Sequence, residues 1–145
     1  MHIQVASLKR DFRKLRQRKI WKDHVVGCAF AIHLVDDDQP DRWHPHLHVV
    51  ASTIPPVAGA FRDLPLGDHW HEITGDSFVV KVQEVRNVED EPWRLCNYIF
   101  RPVFEPFRGD EAMMKEFVVA TKSKPLTGML GGWRGSCVTA EGDGF

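Results

Sequence analysis

Trp43-His44-Pro45-His46-Leu47-His48-Val49-Val50 packs three of the chain's eight histidines into five residues and runs directly into an apolar tail. In a β-strand, residues two apart share a face, so His44, His46 and His48 line one side while Leu47 and Val49 enter a core. A proline fits only the start, the edge or a bulge of a strand, which leaves His46 and His48 as the securely paired two. Imidazoles about 7 Å apart along one strand can share a divalent metal once a neighbouring strand supplies a third ligand. The plainer alternative is the solvated face of an edge strand. A third histidine, placed after an acidic turn and before a Val-rich run, weighs against it.

Outward from that stretch, Val25 to Val35 is an apolar run of strand length broken by one polar side chain, His33. Residues 36–41, Asp-Asp-Asp-Gln-Pro-Asp, carry the chemistry of a turn, so the two strands predict an antiparallel hairpin with the histidine strand over about 44–53. Phe78 to Val85 reads as a third strand. Residues 6–22 read as a helix with Ser7 as N-cap and Leu8, Phe12 and Leu15 at helical spacing. Residues 54–69 are loop-like, and a short helix around Trp70 ends near Gly75. Acids and Pro92 open a helix carrying Trp93 to Phe100, and a further helix covers 110–122 with Met113, Phe117 and Ala120 inward. The tail from Gly128 is glycine-rich, with one basic-aromatic knot at Trp133-Arg134. This order predicts a single α+β domain over residues 1–145, a sandwich with a central antiparallel sheet.

The chain has 145 residues and a formal net charge of −1. Near neutrality argues at first against nucleic acid, but the distribution is uneven. Lys9, Arg10, Arg13, Lys14, Arg16, Arg18, Lys19 and Lys22 face the single acid Asp11 over residues 9–22, a density suited to phosphates. No apolar run approaches the ~18 residues of a membrane span, and the N-terminus lacks a signal-peptide core. Cys28, Cys96 and Cys137 are odd in number and far apart, which speaks for a reducing cytoplasm and against a disulfide framework or a thiolate zinc site.

The only tyrosine, Tyr98, lies in the helix predicted over Trp93 to Phe100, with Arg94 four residues before it and Arg101 three after. Helical spacing puts all three on one face. A phenol between two guanidiniums has its phenolate favoured and a phosphate site beside it, which is what a tyrosine nucleophile on a phosphodiester needs. An ordinary half-buried tyrosine at a helix edge fits the same spacing.

Together these residues resemble the HUH endonucleases, the rolling-circle replication initiators of small plasmids and phages and related transposases. Trp43 to Val49 is similar to their W-H-P-H-x-H-V stretch, and Tyr98 to Arg101 to their Y-x-x-K motif. The likeness covers about residues 15–103. It implies a ferredoxin-like (RRM-like) sandwich whose sheet carries the histidines. It also implies a metal-dependent, site-specific nickase and strand transferase for single-stranded DNA, with Tyr98 becoming linked to the 5′ phosphate.

On this resemblance His46 and His48 are metal ligands. His33 is the third, where relatives carry an acid or glutamine; Asp36 and Asp37 are the alternatives. An all-histidine set is softer and tilts preference toward manganese or zinc over magnesium. Arg101 replaces the family's lysine, keeping its charge but not its ready proton. His44 matches the family's leading histidine without being expected to bind metal, and His69 with His71 is expected to be a surface or core pair. Arg94, Arg13, Arg16, Lys19, Trp133 and Arg134 are the expected DNA contacts, since basic residues with aromatics suit single strands. Expected partners are single-stranded DNA and a host helicase and polymerase, with the protein a cytoplasmic monomer.

Two other functions share part of the pattern. His44-x-His46-x-His48 also fits a histidine-triad nucleotide hydrolase with His46 as a metal-free nucleophile. An HUH-like domain that binds DNA without cutting is the third possibility.

Overall fold

The computed structural model describes residues 2–36, 38–54, 63–76, 80–85, 97, 110–122 and 125–133. In chain order the elements are α1 (His2–Gln17), α2 (Lys19–Lys22), β1 (Val25–Asp36), β2 (Gln39–Thr53), α3 (Leu66–Thr74), α4 (Glu111–Thr121) and β3 (Thr127–Gly131). The three strands form one antiparallel sheet in the order β2-β1-β3. The fold is α+β, as the alternation of patterns predicts.

β1 occupies the centre because it can be buried on both faces: Gly27 through Val35 are all buried. Alternation divides the strand. Cys28, Phe30, Ile32 and Leu34 enter the core shared with the described helices, packing with Val5, Phe12 and Leu15 of α1 and, at its rim, Trp70 of α3 and Phe117 of α4. Leu47 of β2 touches both parts of this core. Phe12 anchors it with edge-on contacts to Trp21 and Phe30, at ring-centroid distances of 5.6 and 5.7 Å. Gly27, Ala29, Ala31 and His33 take the opposite face.

Four expectations are corrected. The single helix over 6–22 is two helices. α1 begins at His2, so Ser7 sits inside it rather than capping it. Arg18 leaves helical geometry (φ −71, ψ 148), and its side chain reaches across to Glu72 and His69 of α3. β2 starts at Gln39, earlier than expected, because Asp36 already pairs with Gln39 across the hairpin. α3 likewise starts inside the expected loop, at Leu66, and ends where Gly75 adopts φ 82. Residues 80–85, expected as the third strand, join no strand ladder. They line a groove between α1, β2 and α3, beside a β2 edge interrupted by a proline that offers no N–H.

The third strand is instead Thr127–Gly131, paired with Gly27 to Ala31. α4 matches its expectation: Asp110 caps it by accepting the Met113 N–H at 2.9 Å, and Ala120 is buried. The helix expected over Trp93 to Phe100 lies outside the described residues except for Asn97. Among the described residues no helix is long and apolar enough to cross a membrane.

Candidate metal centre

The hairpin register brings the histidines together. His33 on β1 is directly opposite His46 on β2, and Ala31 is opposite His48. Between the His33–His46 and Val35–Trp43 pairs, β2 spends one more residue than β1, a bulge that takes up His44 and Pro45. A bulge on an edge strand is where a proline is tolerated. It also resets the strand so that Trp43 turns to the helix side, where its indole Nε1 donates to Glu116 of α4 at 2.8 Å.

One nitrogen from each of His33, His46 and His48 lies within 4.8 Å of the others. The ring centroids are 4.2 Å apart for His33–His48, 4.9 Å for His46–His48 and 5.5 Å for His33–His46. Three nitrogens on a tetrahedral ion would stand about 3.3 Å apart, given metal–nitrogen bonds of about 2.0–2.1 Å. Small side-chain rotations close the difference. His46 Nδ1 lies 2.8 Å from the His44 carbonyl oxygen. A donated Nδ1–H there fixes the tautomer and leaves Nε2 as the ligating atom. His33 is buried at 3% exposure while the other two are half-buried. The residues present fit a divalent ion of the imidazole-preferring kind.

His44 is not one of these converging ligands, although its ring centroid lies 5.5 Å from that of His46. Its Nδ1 lies 3.5 Å from Asp36 at the exposed rim, which also occupies the acid held as an alternative ligand. Asp37 lies outside the described residues, as do Tyr98, Arg94, Arg101 and Arg134. Trp133 is half-buried and lies so close over Gly27 that an added Cβ there would come within 2.6 Å of its ring. It therefore shares the histidine face of β1, but six residues away, about 20 Å at strand rise.

The basic helix is less uniform than its composition. Arg10 and Lys14 pair with the buried Asp11, Arg18 with Glu72 and Lys19 with Asp23, whereas Arg13 and Arg16 have no carboxylate partner among the described residues. The Arg18 hydrogen bond and charge hold the exposed Glu72 carboxyl below its ordinary value. His69 and His71 sit on α3, where His69 meets Arg18, and Trp70 between them packs against the core.

The sequence reading missed the floor of this face. Gly27, Ala29, Ala31 and His33 alternate with large residues on β1, a period-two signal concealed inside what reads as a continuous apolar run. No family model, curated protein or solved structure matches the chain.

Proposed function

We propose that the protein is a metal-dependent endonuclease that nicks and rejoins single-stranded DNA through a tyrosine intermediate, on a ferredoxin-like sheet of the HUH kind. The observation that carries this reading is the convergence of His33, His46 and His48 across two paired strands. Three imidazoles on a four-coordinate ion would leave one position for water or substrate, the ligand count of a catalytic rather than a structural site. A divalent ion held there would polarise a phosphodiester oxygen.

The chain's own residues supply the remainder. The Tyr98 phenolate oxygen attacks phosphorus, forming a phosphotyrosine bond to the 5′ side. The P–O3′ bond breaks, and the leaving oxygen takes a proton to become a free 3′ hydroxyl. Arg94 and Arg101 offset the charge that develops on the phosphate, and Arg13, Arg16, Lys19, Trp133 and Arg134 hold the strand. The reverse attack by a 3′ hydroxyl rejoins the DNA. Manganese or zinc is the preferred ion, and the duplex is opened by a separate helicase.

Incubation with manganese and a fluorescent pool of single-stranded oligonucleotides tests this. The expected result is a protein–DNA adduct that survives denaturation and disappears with chelator and with Tyr98→Phe. If Tyr98→Phe cuts as well as wild type, the nucleophile is wrong. Chelator-resistant nucleotide hydrolysis lost in His46→Ala would establish the histidine-triad alternative instead.

A further inference from the structure

A second site stands apart from the histidines, between the last turn of α1, α2, the start of β1 and the end of β3. It is a cavity of about 240 Å³ whose walls include Arg16, Trp21, Lys22, Gly27, Cys28 and Gly131. Arg16 is its chemical centre. The guanidinium lies 5.2 Å from the Phe12 ring centroid, within cation–π range. Its Nε is buried and makes no hydrogen bond to the described residues.

A half-buried cation needs a counter-charge. Among the described residues, the carboxylates Asp11, Glu72 and Asp23 pair with Arg10, Lys14, Arg18 and Lys19, and neither Arg16 nor Lys22 has a carboxylate partner. Cys28 lines the same cavity, but burial pushes its thiol up and keeps it neutral. Among the described residues the cavity thus brings together two cations without a carboxylate, a place that suits an anion small enough to enter. The space is below the ~300 Å³ of a drug-sized pocket, which suits a phosphate and its attached sugar. Guanidinium and ammonium donors beside an aromatic wall are the chemistry of nucleotide binding.

We infer that this cavity binds the phosphate of a nucleotide, with Arg16 and Lys22 as cationic partners and Trp21 as the apolar wall. The phosphate belongs either to a single-stranded DNA chain or to a free nucleotide. Cys28 precedes His33 by five residues, about 17 Å along β1, so the site works without the metal centre. A strand phosphate here would deepen the strand-holding role given to Arg16 above, whereas a free nucleotide would not rest on the nickase reading; either binds in the presence of chelator.

The test is titration of the full chain, in chelator, with thymidine monophosphate and separately with a short oligothymidylate. The resonances of the Arg16 Nε–H and the Trp21 indole report binding. Saturable shifts of both are expected, and Arg16→Gln or Lys22→Ala should weaken binding about tenfold or more, as for a charged hydrogen bond. Saturation by the mononucleotide identifies a free nucleotide as sufficient; a response to the oligonucleotide alone identifies a strand phosphate. Lys22 is exposed, so its variant keeps the fold and decides the matter if Arg16→Gln proves unstable. The inference is overturned if neither ligand moves these resonances, or if Lys22→Ala binds as wild type does. Failure here leaves adduct formation at Tyr98 untouched, so the two accounts fail separately.

Discussion

His33 shows how much one residue's chemistry depends on its strand. On an edge it would be a solvated imidazole; on β1 it is buried on the central strand, directly across from His46. The three histidines were legible in the sequence because strand alternation is rigid: residues 46 and 48 must share a face, and a hairpin must bring residue 33 near them. The tyrosine half of the site stays at the level of spacing, since Tyr98 and its arginines lie outside the described residues. Cys28 gives a sharper test at this scale. Its thiol is 1% exposed and shifted upward by burial, with Arg16 pulling weakly the other way. An acid with a raised folded value keeps its proton longer folded than unfolded. The stability it contributes is therefore full below the unfolded thiol value of about 8.5 and declines as pH rises through it. We expect Cys28 to resist a thiol reagent at pH 8 until the chain is unfolded; rapid labelling of Cys28 itself in the native protein, located by peptide mapping apart from Cys96 and Cys137, would show that the β1 core is open.

At the scale of elements, the helices and the hairpin follow from periodicity and turn chemistry, whereas the third strand does not. Thr127-Gly128-Met129-Leu130-Gly131 reads as loop because two of its five residues are glycine. Those glycines answer to tertiary contacts that no local pattern contains. A Cβ on Gly128 would lie 2.7 Å from the buried Phe30 ring. Gly131 adopts φ 65, and a Cβ there would lie 2.7 Å from the Val26 carbonyl oxygen. Gly131→Ala should accordingly cost about 2 kcal/mol, from left-handed backbone strain and overpacking together. Chemical denaturation measures this, and a loss no larger than a surface substitution's would remove β3 from its place against β1. In residues 80–85 the opposite error occurred: a strong strand propensity found no intact edge to pair with.

For the whole molecule, the sheet separates two jobs. One face builds the core with the described helices, and the other presents small residues and the three imidazoles. The basic charge of α1 is partly spent on internal pairs, so the surface left for an anion is narrower than composition implies. Everything proposed for DNA chemistry depends first on the histidines binding one ion together. Equilibrium titration with zinc and with manganese, read by chelator competition, measures this directly. One ion per chain is expected, with affinity reduced at least about 100-fold in His33→Ala, His46→Ala and His48→Ala, because losing a ligand exceeds the usual cost of losing a ligand's supporting contact. His44→Ala should change it little, since His44 faces Asp36. Wild-type affinity in His33→Ala would contradict the account, because it would show that the two strands do not share a metal.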